Sequence, residues 1–203
     1  MPTTQSLFAL KKPKCGTTTV TTSFDKVLFK HKAALSTALP TISHQTTYHY
    51  ATGGLWSTHD LVAHIIDTTG PVNLLGCSWS MSSPACSHIL NMLADGTLLS
   101  MSFLFDWRVS VRCPEALVLA RHNSTDIRLT SCHAKVALLH NTDWYVSIVG
   151  SANFTNNPRI EAGVIDTSQS AHAFHTQWIS AEMSGCKPFG VDMRKIGNKD
   201  GRT

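Results

Sequence analysis

Two rhythms of apolar and polar positions alternate along the chain. Short runs rich in β-branched and aromatic residues predict strands at 26–29 (KVLF), 45–53 (QTTYHYATG), 71–79 (PVNLLGCSW) and 97–107 (TLLSMSFLFDW). Further runs lie at 126–131 (DIRLTS), 133–140 (HAKVALLH), 144–151 (WYVSIVGS) and 159–166 (RIEAGVID). Between them lie segments with helical spacing. Residues 57–70 open on Ser and Thr, place Leu61, Ile65 and Ile66 on one face, and stop at Gly70-Pro71. Residues 82–96 start with Ser, carry Pro84 in the first turn and stop at Gly96, and 113–123 has Pro114 early and Asn123 at its end. A last helix is predicted over 170–183. Strands alternating with helices predict an α/β fold, a mixed β-sheet flanked by helices. Asn141-Thr142-Asp143 reads as the turn of a late antiparallel hairpin. The pattern divides the chain into an N-terminal arm (1–24), one domain (25–183) and a basic C-terminal tail (184–203).

At 203 residues, with 42% hydrophobic and 15% charged residues, the chain is long and apolar enough to bury a core and too weakly charged for a disordered one. Its net charge is +4, and the basic residues gather at the ends: Lys11, Lys12, Lys14, Lys26, Lys30 and Lys32 at one, Lys187, Arg194, Lys195, Lys199 and Arg202 at the other. Such ends suit a polyanionic partner and equally suit two solvated tails. The six cysteines form no CxxC, and no apolar run reaches the length of a signal core or a membrane span. The expectation is free thiols in a reducing cytoplasm, with no membrane partner.

The segment Cys132–Phe154 carries the candidate chemistry. If 133–140 is extended, His133 and Lys135 share one face, since side chains alternate along a strand. The next strand ends in Gly150-Ser151-Ala152-Asn153, where Ser151 and Asn153 stand in the same i, i+2 relation. Neighbouring strands can therefore present an imidazole, an ammonium, a hydroxyl and an amide on one patch. The imidazole is a nucleophile or proton carrier, and the other groups suit a phosphate.

His133-x-Lys135, Asp143, then Gly150-Ser151-x-Asn153 resembles the signature of the phospholipase D superfamily. The gap from Lys135 to Asp143 is three residues longer than that pattern, so Asp143 stands as a supporting candidate only. Glu161 resembles the acidic residue that orients the catalytic histidine. The resemblance implies a phospholipase D-like fold and a phosphodiesterase whose catalytic residues are His133, Lys135, Ser151, Asn153 and Glu161. The family site holds two such motifs and this chain has one. The implied state is a homodimer joined through the active-site face, similar to the small homodimeric nucleases of that superfamily. It further implies a phosphohistidine intermediate, DNA (alternatively RNA) as partner, and no cofactor or metal. A lipid or small phosphodiester hydrolase using the same site, and a non-catalytic nucleic-acid-binding protein, are the alternatives.

Other residues carry weaker signals. Trp79 and Ser80 lie where a strand passes into a helix, a place that often borders a site in α/β folds, although Trp79 also suits a core. Arg159, two residues before Glu161, suits a backbone phosphate or a surface ion pair. The eleven histidines include no zinc-finger spacing and no HExxH. His64 and His88 are read as surface or partly buried, and His172 and His175 as surface. Trp56, Trp107, Trp144 and Trp178 are read as core.

Overall fold

The computed structural model describes residues 35–39, 41–156, 158–186 and 189, together with the backbone of the strand at 23–29. The predicted arm and basic tail therefore lie almost wholly outside the described residues. Eight strands form one mixed sheet: β1 (Ser23–Phe29), β2 (Thr46–Ala51), β3 (Val72–Ser78), β4 (Leu98–Asp106), β5 (Asp126–Thr130), β6 (Val136–His140), β7 (Tyr145–Gly150) and β8 (Ala162–Asp166). The helices are α1 (Leu35–Ala38), α2 (Thr58–Thr69), α3 (Ser83–Ala94), α4 (Val109–Arg112), α5 (Pro114–Asn123) and α6 (Gln169–Gly185). The α/β class with a mixed sheet is as the sequence predicts, and each predicted strand and helix has its counterpart. The one-turn helices α1 and α4 were not predicted, being too short to show a helical period.

The strand order is β1-β2-β8-β7-β6-β3-β4-β5. β3, β4 and β5 run parallel, joined through α3 and α5, because parallel neighbours need a crossover. β6, β7 and β8 run antiparallel to their neighbours, with β8 against β2 and β6 against β3. The parallel and antiparallel halves therefore meet at β3. At one end of the sheet the finishing ends of β2, β3 and β7 adjoin the starting ends of β6 and β8, since Cys77 pairs with Val136, Val136 with Val149, and Gly150 with Gly163.

One face is covered by α2, α3 and α5, whose Leu61, Ile65, Ile89 and Leu117 pack on Leu74, Met101 and Phe103. The other is covered by α6, whose Ile179 and Met183 pack on Cys77, Leu104, Val136 and Leu138. Local chemistry sets the helix ends. Ser57 precedes α2, and both its N–H and its hydroxyl donate to Asp60 Oδ2 at 2.8 Å. Gly70, at φ +69°, ends that helix in a conformation that glycine adopts without strain. Ser82 and Ser168 cap α3 and α6 by accepting from the N–H groups of Ala85 and Ala171.

Three sequence expectations are corrected. The strands predicted from 133 and 159 start at Val136 and Ala162, because β3 leaves the sheet after Ser78 and the stretch before β8 is held by Thr52 instead. Trp107 is not core: it is half-exposed, with the Arg108 guanidinium 5.3 Å from its ring centroid. His172 is not on the surface: it is 7% exposed, with the His140 and Tyr145 rings 5.5 and 5.4 Å away. α6 turns this side toward the sheet, a choice that helical spacing alone does not fix.

Gly76 makes room for the core beneath the site. Phe103 stacks on Phe105 at 4.9 Å and meets Phe154 edge-on at 5.2 Å, and a Cβ on Gly76 would lie 2.0 Å from a Phe103 ring carbon. Gly76→Ala is therefore expected to cost about 1–3 kcal/mol by overpacking, seen as a lower urea midpoint at unchanged slope.

Burial, reinforced by the nearby His140 and His175, holds the His172 imidazole down at about 4. The unfolded value is about 6.5, so the folded state binds fewer protons between these two values. The stability contributed by the neutral ring is intact above pH 6.5 and is lost as pH falls toward 4. His172→Phe is expected to reduce the acid-induced loss of unfolding free energy over that window by about 3 kcal/mol, measured by urea melts at pH 7 and pH 4.

Candidate active site

The ends of β3 and β7 bring the predicted residues together at one rim of the sheet. Cys132–Lys135 form an extended lead into β6, and the Gly150 N–H donates to the Lys135 carbonyl at 3.2 Å. Lys135 Nζ lies 3.2 Å from His133 Nδ1 and donates to the His133 carbonyl oxygen, so the two side chains share one side, as the alternation argument requires. Partial burial lowers the Lys135 pKa, opposed by Cys132, Cys77, Glu161 and Asp106. His133 is exposed, with its ring 5.9 Å from that of Trp79, and Arg112 stacks 4.6 Å over Trp79.

Beside them, the Ser151 hydroxyl donates to Glu161 Oε2 and accepts from the Ala162 N–H at 3.0 Å. Glu161 reaches this position because its backbone oxygen accepts from the Thr52 N–H at 2.8 Å. Asn153 Oδ1 lies 3.2 Å from the hydroxyl of Ser78, which is fully buried. That hydroxyl also lies 2.7 Å from the Ser80 carbonyl oxygen, its nearest acceptor, and accepts weakly from the Phe154 N–H at 3.4 Å. Thr58 at the start of α2 donates to the Ala152 carbonyl at 3.1 Å, and the Ser82 N–H donates to the Phe154 carbonyl at 2.9 Å. The Ser151–Asn153 turn is thus held from both sides.

The lead into β6 is anchored as well. The Cys132 N–H donates to Asp106 Oδ2 at 3.0 Å, and Asp106 is 1% exposed. The Cys132 and Cys77 sulfurs are 3.1 Å apart. This contact draws the Cys132 thiol down to about 7 and pushes the Cys77 thiol up, with burial adding to the rise at Cys77.

Not every candidate joins the group. Asp143 lies in the β6–β7 turn, at the opposite end of the hairpin, because His140 pairs with Tyr145 while Val136 pairs with Val149. Its N–H donates to Asn141 Oδ1 at 2.9 Å and its carboxylate accepts from Thr142, so it serves the turn. Ser80 contributes its carbonyl to Ser78, with its own hydroxyl 3.6 Å from Cys113 Sγ. Arg159 is exposed on the lead into β8. Sequence reasoning missed Ser78, Asp106 and Arg112. Ser78 had a signal, as a hydroxyl at the end of a buried strand beside the noted Trp79 and Ser80. Arg112 had none.

The arrangement joins an exposed imidazole, an ammonium, a carboxylate-bound hydroxyl and an oriented amide. Such a group can hold a tetrahedral anion and move one proton. The described residues include no helix long and apolar enough to cross a membrane.

Neither a scan against known protein families nor a search of curated proteins finds a match. Solved structures do match. Nuc from Salmonella typhimurium, a phospholipase D family member, is similar at a TM-score of 0.52 and 17% identity, over 70% of this chain and 98% of that one. NucT from Helicobacter pylori is similar at a TM-score of 0.53 and 10% identity, over 70% of this chain and 99% of that one. The chain has the fold of a phospholipase D family protein, the architecture that the sequence resemblance implied.

Proposed function

We propose that the protein is a metal-independent phosphodiesterase, acting on DNA, whose full site forms between two copies of the chain. The observation that carries this reading is the convergence of His133, Lys135, Ser151 and Asn153 on one exposed rim, with a single set of these groups per chain. The fold shared with Nuc and NucT supports it. RNA is the alternative nucleic acid. The five described cysteines are free, which suits a reducing compartment such as the cytoplasm.

In the proposed reaction Lys135 Nζ leaves His133 Nδ1 for the phosphate oxygens, the ring carries its proton on Nδ1, and Nε2 attacks phosphorus as the P–O bond to the leaving oxygen breaks. His133 of the partner subunit donates a proton to that oxygen. Water then attacks the phosphohistidine, giving its proton to the same partner imidazole, and the P–N bond breaks to release the product. Lys135 and the Asn153 amide face the charge that develops on the phosphate oxygens. Contact with Ser78 at 3.2 Å orients the Asn153 amide for the substrate. Ser151 and Glu161 fix the rim next to it. The two imidazoles share one site and titrate as a pair, so the pH–rate profile belongs to both.

The full chain is expected to cleave plasmid DNA in EDTA and to sediment as a dimer. His133→Ala is expected to lower the rate at least a thousandfold with unchanged circular dichroism. A strict monomer, or DNA binding without cleavage by the wild type, rules the reading out. Cleavage of phosphatidylcholine in place of DNA would assign the site to lipid.

Ser78→Ala tests the buried hydroxyl. It leaves Asn153 Oδ1 without this partner and is expected to cost about 1–3 kcal/mol of stability. The rate is expected to fall by roughly tenfold with little change in KM, as a transition-state contact is misplaced.

A further inference from the structure

A second cluster of ligating side chains lies outside this rim, where the first turn of α2 faces α3. His59 is 4% exposed, Asp60 follows it, and His88 of α3 points at the same spot. Asp60 Oδ1 is 3.9 Å from His59 Nε2 and 4.0 Å from His88 Nδ1, and all three ligating atoms lie within 4.8 Å of one another. They line a cleft of about 460 Å³ shared with Trp56, Ser57 and Asn156.

Hydrogen bonds orient the carboxylate of this cluster. Ser57 has one hydroxyl proton, and it goes to Asp60 Oδ2 at 2.8 Å. The Ser57 oxygen faces the edge of the His59 ring, 2.9 Å from Nδ1 and 3.2 Å from Nε2. The His59 ring also hydrogen-bonds the Asn156 side chain, which lines the same cleft. Asp60 Oδ2 is fully used by the Ser57 N–H and hydroxyl, so Oδ1 is the oxygen presented to both rings. A cation between the two rings and Asp60 Oδ1 would meet all three ligating groups. The Ser57 contacts are the outer-shell bonds that orient ligands of this kind.

We propose that His59, Asp60 and His88 bind a divalent transition-metal ion, zinc in the first instance, with the cleft supplying an open fourth position. Two imidazoles and a carboxylate suit zinc and its first-row neighbours rather than magnesium or calcium. Zinc bonds of about 2.0–2.1 Å place tetrahedral ligands about 3.3 Å apart, so the two His–Asp60 separations close by about 0.6–0.7 Å on binding. His88, which is only half-buried, is the side chain able to move. The ion ties α2 to α3, and α2 in turn holds the Ala152 carbonyl through Thr58. Its role is to stiffen the support of the catalytic rim, outside the phosphoryl chemistry.

The test uses the full chain stripped of metal. Calorimetric titration with zinc is expected to give one site per chain, and cobalt(II) to give the visible absorption of a low-coordinate N/O site. His88→Ala, whose fold is checked by circular dichroism, is expected to weaken zinc at least tenfold and to abolish the zinc-dependent rise in Tm, while His175→Ala binds as the wild type does. No zinc uptake by the wild type, or unchanged affinity and stoichiometry in His88→Ala, overturns the proposal. DNA cleavage in EDTA is read separately and bears only on the rim.

Discussion

One buried hydroxyl, that of Ser78, sits where the parallel and antiparallel halves of the sheet part company. Its contacts reach the Ser80 carbonyl, the Asn153 amide and the Phe154 N–H, from two segments far apart in sequence. A polar group at 0% exposure is tolerated only because those neighbours satisfy it. The same contacts stop β3, turn the chain into α3 and dock the end of β7. Without that junction the asparagine is a surface side chain on a loop, and the rim has no fixed amide to offer.

The apolar packing below makes the junction possible. Phe154 follows Asn153 directly and is buried edge-on against Phe103, which lies over the space that Gly76 leaves. A candidate site residue is thus positioned by its neighbour in the chain: the aromatic ring provides the anchoring energy and the amide takes the geometry. The lead into β6 works similarly. Buried Asp106 accepts from the Cys132 N–H, and His133 and Lys135 follow with their backbone fixed. Both halves of the rim carry exposed or half-buried side chains on backbone held from beneath, the condition under which a loop can present a preorganised site.

The sequence made the fold legible because the strands are short apolar runs bounded by real stops: Gly70-Pro71, Gly96 and Asn123 are chemical statements about where an element ends. The pairing of His133 with Lys135, and of Ser151 with Asn153, was legible from alternation. What depends on three-dimensional register was not. Asp143 matched a motif position by identity, yet its spacing was off and it fell in the predicted 141–143 turn, and the pairing of His140 with Tyr145 puts that turn at the far end of the hairpin. Ser78 and Asp106 act through contacts with residues 132–154, which no local pattern encodes. His59 and His88 share no metal-ligand spacing, and it is the packing of α2 on α3 that makes them neighbours. His172 was misplaced because a short run of polar and apolar residues does not determine which side of α6 meets the sheet.

The exposure of the rim follows from the chemistry proposed for it. A single imidazole cannot be attacking base and proton donor in the same step, since one role needs a neutral ring and the other a charged one. A chain with one such histidine must leave it accessible from the side on which the second will come, and His133 and Ser151 are exposed where Ser78, Asp106 and Phe154 behind them are buried. In the proposed dimer the second subunit would cover this face and bring the second imidazole, so an open rim over a sealed support is the form that one active site split between identical halves would take.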